Sequence, residues 1–451
     1  MHSLSALKSG QLIGEQGVKI SCGLDVFPEE LFTLADHLES LDLSGNQLSS
    51  LPEDFSRFKK LRILFLSDNR FQVLPSVLSE CPELNMIGFK ANQISRVPEG
   101  SLPEHIRWLI LTDNKIESLP ASIGQCSKLQ KLMLAGNRLT TLPVEMKRCR
   151  NLELLRISAN RLEVLPEWLV KLPKLSWLAF AGNPCVNHTV SDHTLAEIHW
   201  DELQLEDQLG EGASGIISKA YWQDNEGVAV KAFKGEVTSD GYPADEMAAS
   251  MAAGKHDHLI EVLGRLTGHP EQKDGLLLSL IADDFNNLAG PPCLDSCTRD
   301  TYADDAAFSL IEVLNITGAI ASAAAHLHED GIAHGDLYGH NILINDDAHC
   351  LLGDFGAATL YKDMDASLSH AIERLEVRAF GCLMEELLQR INIDELATQT
   401  DIFAKLQHLE QHCLSEHIKQ RPGFIEIHQC LVSLKSKLLA VHAMTDFQAF
   451  N

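Results

Sequence analysis

Three polar residues near the middle of the C-terminal half stand at a spacing that suits chemistry on phosphate. Asp336 is followed five residues later by Asn341 and a further thirteen residues on by Asp354, within the stretch HGDLYGHNILINDDAHCLLGDFG at 334–356. Transfer of a phosphoryl group needs one carboxylate to orient the attacking hydroxyl, and an amide with a second carboxylate to hold a divalent cation against the phosphates. The apolar runs Ile342-Leu343-Ile344 and Leu351-Leu352 predict short strands. The three polar groups would then sit on loops at strand ends, where side chains converge.

The elements that must position such a set lie upstream. Gly210, Gly212 and Gly215 form a GxGxxG run, in which the missing Cβ atoms let backbone amides approach phosphate oxygens. Val228-Ala229-Val230-Lys231 follows on an alternating, strand-like run. A helix-prone segment over 244–253 carries Glu246, the expected ion-pair partner of Lys231, with Asp245 as competitor. Ala-rich residues 315–328 predict a long helix ahead of Asp336, and 373–388 predict another behind Asp354, carrying Glu376.

Taken in order, these segments resemble the protein kinase family over about residues 203–437, with 438–451 as a tail. The resemblance implies an α+β bilobal domain and an ATP:protein phosphotransferase, serine/threonine-specific by default. It implies ATP bound through Gly210, Gly212, Gly215, Ile217, Ala229, Lys231, Glu246 and Leu343, Mg²⁺ held by Asn341 and Asp354, and Asp336 as the catalytic carboxylate. Arg421, in an Arg-Pro step, matches the family's structural arginine and is expected to pair with Asp365 or Glu373. Four departures stand against this. Gly335 replaces the arginine usual before the catalytic Asp, so phosphorylation at Thr359, Tyr361, Ser367 or Ser369 is not expected to activate the enzyme. Tyr338 and His340 occupy positions where the family carries a cation. Only 22 residues separate Asp354 from Glu376, with no Ala-Pro-Glu between them. HGDLxxxN also resembles small-molecule phosphotransferases of the kinase fold. A pseudokinase scaffold and a small-molecule kinase therefore stay as alternatives.

The N-terminal half obeys a different rule. Asn46, Asn69, Asn92, Asn114, Asn137, Asn160 and Asn183 recur every 22 or 23 residues, each preceded by LxxLxL, and the first six followed by Leu-Pro or Val-Pro. This is the leucine-rich repeat signature, which predicts an α/β solenoid over 38–184 with one parallel strand per repeat. Residues 1–37 are expected to form a degenerate capping repeat, and 185–202 a connector whose His188, His193 and His199 are polar surface. The residues flanking the second leucine of each LxxLxL should leave the core on the concave face. Ile63, Phe65, Met86, Trp108, Ile110, Met133, Leu154 and Trp177 would make an exposed apolar stripe there, the expected binding surface for a separate protein partner.

Composition divides at the same place. Residues 1–200 carry 21 Lys and Arg against 22 Asp and Glu, whereas 201–451 carry 16 against 41. So acidic a half argues against nucleic acid or an anionic membrane as its partner. The eleven cysteines contain no CxxC pair. Cys81, Cys126 and Cys149 each lie twelve residues after a repeat asparagine (Asn69, Asn114 and Asn137), as small buried apolar residues would. This usage predicts a reducing, cytoplasmic setting. No apolar h-region follows Met1 and no uninterrupted apolar run approaches a membrane span, so a soluble protein is expected.

Overall fold

The computed structural model describes residues 1–186, 196–212, 214–223, 226–234, 237–392 and 399–449. It divides into two compact units. The first comprises Met1–Leu175, Gly182–Cys185 and Val237–Gly241, and the second Ser176–Ala181, Val186–Glu236 and Tyr242–Asn451.

The repeat spacing builds the N-terminal sheet directly. After a short helix α1 (Leu4–Lys8) come strands β1 (Gly17–Lys19), β2 (Ser40–Asp42), β3 (Ile63–Phe65), β4 (Met86–Gly88), β5 (Trp108–Ile110), β6 (Lys131–Met133), β7 (Leu154–Arg156) and β8 (Trp177–Ala179). They form one eight-stranded sheet in chain order, with Leu41, Leu64, Ile87, Leu109 and Leu132 in mutual register and fully buried. Each strand is three residues long because the chain turns at the repeat asparagine. The residue before every one of them, Gly45, Asp68, Ala91, Asp113, Gly136, Ala159 and Gly182, lies in the left-handed region. The turn strands backbone groups that the asparagine then satisfies. Asn114 Nδ2 donates to Phe89 O at 2.9 Å and Leu111 O at 3.1 Å, and its Oδ1 accepts from Ile94 N at 2.9 Å. The Leu-Pro steps start 3₁₀ segments, as at Ser76–Glu80, Ala121–Gln125 and Val144–Arg148, each preceded by its proline. Cys81, Cys126 and Cys149 close these segments, and burial pushes their thiols up to about 11, about 12 and about 11. They sit in the core as the small apolar residues expected.

Asn114→Ala removes both sides of one rung and leaves buried amide and carbonyl groups unpaired. It is expected to destabilise the first unit by about 1–3 kcal/mol, read as a shift in the denaturant midpoint of that unit.

The concave stripe differs from expectation. Ile63, Phe65, Trp108, Ile110 and Met133 are half-buried, while Met86, Leu154 and Trp177 are buried, at 2%, 3% and 1% exposure. Lateral packing covers part of it. A Cβ on Gly88 would lie 2.6 Å from the Phe65 ring, and Lys131 Nζ sits 4.2 Å over the Trp108 ring. The short segment Val237–Gly241 covers more. Asp240 Oδ1 takes a 2.6 Å bond from Arg156 Nε, whose side chain is 3% exposed. A Cβ on Gly136 would meet Val237 Cγ1 at 2.7 Å, and one on Gly241 would meet Ser158 Cβ at 2.9 Å. The stripe is therefore not one continuous open surface.

The second unit begins with a mixed sheet. Strands β9 (Ala196–His199), β10 (Leu203–Glu211), β11 (Gly215–Trp222), β12 (Glu226–Phe233), β13 (Val262–Thr267) and β14 (Gly275–Ser279) lie in the order β10-β11-β12-β14-β13-β9. Part of the expected connector is thus a sheet strand, parallel to β13. His199 accepts the Asp201 N–H within a capping turn, and His188 and His193 lie outside the described residues. Helix α2 (Pro243–Ala252) starts at a proline, whose missing N–H costs nothing in a first turn.

Helix α3 (Leu310–Glu329) is fixed at its start by a Ser309/Glu312 capping box. It is long and apolar enough to cross a membrane by length and composition, but eleven of its residues are buried within the unit. After it come β16 (Ile332–Ala333), β17 (Ile342–Ile344), β18 (Cys350–Leu352), β19 (Thr359–Leu360), and helices α4 (Ala366–Leu388), α5 (Thr400–Cys413) and α6 (Phe424–Ala449). Strand β15 (Asn286–Asn287) pairs with β17. Arg421, 2% exposed, donates to the Ser415 and Arg374 carbonyls. Asp365 caps α4, and Glu373 accepts the Tyr361 hydroxyl.

His326, His256, His258 and His349 follow one another in a chain with ring centroids 5.1–5.6 Å apart, the first pair stacked and the other two tilted. Burial lowers the basicity of His256 and His258, with neighbouring histidines adding to it. A histidine held below its unfolded value supplies stability above pH 6.5 that is lost as pH falls through its folded value. A His256→Gln/His258→Asn variant is expected to lose less stability than the parent between about pH 7.5 and about pH 5.5, by urea unfolding.

Candidate active site

The upper half of the site is a sheet face. Ile217 is opposite Lys231 and Lys219 opposite Ala229 on β11 and β12, while Leu276 and Leu278 of β14 lie opposite Lys231 and Ala229. Directly opposed residues share a face, so Ile217, Ala229 and Lys231 point the same way, with Leu276 and Leu278 beside them. Lys231 Nζ is paired with Glu246 Oε1 of α2, the two side chains being 12% and 3% exposed. Burial pushes the Glu246 carboxyl above the usual carboxylate range, against the pull of Lys231. Gly210 and Gly212 open onto empty space, and Gly212 N donates to Gly215 O at 2.9 Å, closing a turn between β10 and β11. Gly215 is required by close approach, since a Cβ there would lie 2.6 Å from Ala232 O.

The lower half is built on the loops around β17 and β18. Asn341 Nδ2 donates to both Asp336 O and Asp336 Oδ2, at 2.9 Å each. That ties the amide nitrogen to the carboxylate and turns its oxygen the other way. His334, 1% exposed, accepts from Asp336 N at 3.3 Å through Nδ1 and donates to Gly353 O at 2.9 Å through Nε2. It thus links the Asp336 loop to the Asp354 loop. Asp354 is exposed, with φ +56°, and accepts Gly356 N at 3.2 Å. Phe355 beside it is buried. The Asp354 charge adds to the rise of both the Glu246 carboxyl and the His340 imidazole. Leu343 is half-buried on β17.

Gly335 has a steric reason for being glycine. Its φ is +73°, and a Cβ would lie 2.4 Å from Ala357 O. Its N–H donates at 2.6 Å to Glu376, which is 3% exposed and also takes the His328 Nε2 proton at 2.7 Å. Burial works to raise the Glu376 carboxyl, but these bonds hold it below the usual range. Thr359 and Tyr361 are buried, at 1% and 3% exposure.

Two supports of the loop carry no sequence signal of their own. Asp300, whose side chain is fully buried, accepts His340 Nδ1–H at 2.7 Å and His340 N–H at 3.1 Å. Burial alone would lower the basicity of His340, but the carboxylates of Asp300, Asp336 and Asp354 raise it. Trp177, placed on the open stripe by the repeat phase, instead lies against Leu337 and Tyr338 within the second unit. No periodic pattern marks Asp300, and strand phase tells which face Trp177 leaves by, not what covers it.

The arrangement suits a nucleotide with its cation. Among the described residues no three or more His, Cys, Asp or Glu side chains converge as a metal cage. Mg²⁺ is typically bound by one or two protein oxygens together with substrate phosphates, which the Asn341 amide oxygen and the exposed Asp354 carboxylate can supply.

A repeat solenoid preceding a unit with these features defines the class of protein. The profile of the protein tyrosine and serine/threonine kinase family matches residues 203–404, and that of the leucine-rich repeat matches 21–71, 104–162 and 127–184. The chain is a leucine-rich repeat array followed by a protein kinase domain. It is similar to protein-tyrosine kinase 6 of Mus musculus, 24% identical over 285 residues, covering 52% of this chain and 59% of that one. It is also similar to the serine/threonine-protein kinase PITSLRE of Drosophila melanogaster, 23% identical over 248 residues, covering 50% and 25%. The chain thus spans less than two thirds of these relatives. A solved leucine-rich repeat protein of Leptospira interrogans is 29% identical, covers 37% of this chain and 48% of its own, and has a TM-score of 0.31.

Proposed function

We propose that the chain is an active protein kinase using Mg-ATP, with serine or threonine as acceptor. The observations that support this are the Lys231–Glu246 ion pair, both side chains largely buried, and the Asn341–Asp336 hydrogen bonds, with the exposed Asp354 carboxylate on the loop that His334 ties to them. In this reading Lys231 holds the α- and β-phosphates over the glycine turn. Ile217, Ala229 and Leu343 line the base. Mg²⁺, bound by Asn341 and Asp354, would offset charge on the phosphates. Asp336 orients the acceptor hydroxyl and takes its proton as the oxygen bonds to the γ-phosphorus and the bond to the β–γ bridging oxygen breaks. Neither Tyr338, packed under Trp177, nor Gly335 supplies a cation beside Asp336, so activity is proposed not to require phosphorylation of the activation segment.

The half-buried apolar residues Ile63, Phe65, Trp108, Ile110 and Met133, with their leucine-rich repeat setting, support a protein-binding role for the array. The buried thiols and the acidic second half support a cytoplasmic setting. Incubation of the purified chain with Mg-ATP and either a basic protein or small alcohols, followed by phosphoamino-acid analysis, tests the acceptor. Phosphoserine or phosphothreonine is expected. Phosphotyrosine would overturn the acceptor class, and product only on the alcohols would overturn the protein kinase reading.

A further inference from the structure

The loop bearing Asp336 is clamped from two directions. On one side stands Asp300, bonded to the backbone and ring of His340. On the other stands Trp177, in the segment Ser176–Ala181 that belongs to the second unit. Its Nε1 donates to Leu337 O at 3.0 Å, and its indole lies flat on Tyr338, with centroids 4.3 Å and planes 5° apart. The two aromatic side chains are 1% and 4% exposed. Neighbouring residues of the same segment are tied to the same unit. Ser176 Oγ accepts from Arg378 Nη1 at 2.7 Å, and Phe180 N donates to Thr359 Oγ1 at 3.4 Å. Leu178 O lies 3.0 Å from the place a Gly335 Cβ would take.

We propose that Trp177 is a positioning residue for Asp336: by fixing Leu337 and Tyr338, the two residues that follow it, the indole sets the direction of the Asp336 carboxylate. A hydrogen bond to Leu337 O fixes the peptide, and a broad stacked contact fixes the next side chain. Tyr338, at the position where a cation was expected, serves as the platform for this clamp. Ser176–Ala181 is then a permanent part of the catalytic unit, although it is encoded in the last repeat. It holds the loop without any phosphate.

The test uses the full chain as Trp177→Ala and Trp177→Phe, with two readouts. Amide hydrogen exchange over 335–342 reports loop order without reference to activity, and steady-state kinetics report kcat and KM for ATP. Trp177→Ala is expected to speed exchange over 335–342 while strands β2–β6 exchange as in the parent, and to lower kcat about 10–100-fold at unchanged KM. Trp177→Phe, which keeps the stacked ring, is expected to recover most of both. Parental exchange over 335–342 in Trp177→Ala overturns the proposal. Equal damage in both variants, spread over the whole second unit, also overturns it, because that is what mere core packing would give. The kinetic arm rests on the kinase reading. If the parent chain transfers no phosphate, that reading fails, and the exchange arm still decides the role of Trp177.

Discussion

Asp336→Asn is expected to lower kcat for phosphate transfer by about 10²–10⁴-fold, the usual contribution of a positioned acid–base group, with little change in ATP affinity. The substitution keeps the shape and both Asn341 contacts at atoms that still accept: the backbone oxygen and the side-chain oxygen. What disappears is the carboxylate proposed to receive the acceptor's proton. Because His334 holds the backbone N–H of residue 336 from the other side, the loop should keep its course. Thermal unfolding should therefore move little while turnover collapses. Parental turnover in this variant would remove Asp336 from the chemistry.

Lys231→Met is expected to cut kcat/KM for ATP by about 10²–10³-fold, the scale seen when one group stabilising transferring charge is removed, yet to leave the second unit folded at neutral pH. Removing one member of a buried ion pair usually costs several kcal/mol, because the other charge stays behind. Here the charge left behind is Glu246, whose carboxyl burial already holds above the usual range, and it can take up a proton instead. A carboxyl raised in the folded state gives stability at low pH that is lost as pH rises through its folded value. The variant should therefore be most stable in mild acid and weaken toward alkaline pH more steeply than the parent, as a series of melting curves would show. A melting temperature falling equally at every pH would mean that Glu246 stays ionised without Lys231.

How far the sequence went depends on what kind of constraint each residue serves. The solenoid was legible because one turn geometry is imposed seven times. An asparagine must satisfy the backbone, and the residue before it must accept a positive φ, so the interval can scarcely drift. The left-handed residue is Gly, Asp or Ala before each Asn. Lys231, Glu246, Asp336, Asn341 and Asp354 each lie in a short local pattern, and of these the structure brings Lys231 to Glu246 and Asn341 to Asp336. Gly335 was read as the loss of an arginine. The structure gives it a positive requirement, since the left-handed backbone and the Ala357 carbonyl leave no room for a side chain. Trp177 was misplaced because period-two alternation predicts the face a side chain leaves by, but its covering comes from Tyr338, 161 positions away in the chain.

The central claim is tested most directly by incubating the purified full chain with γ-labelled ATP, Mg²⁺ and a basic protein acceptor, beside Asp336→Asn under the same conditions. Label appearing on protein with the parent, and reduced at least about a hundredfold with Asp336→Asn, is the predicted result. ATP bound by the parent with no label transferred to any acceptor would contradict the account and leave a nucleotide-binding scaffold in its place.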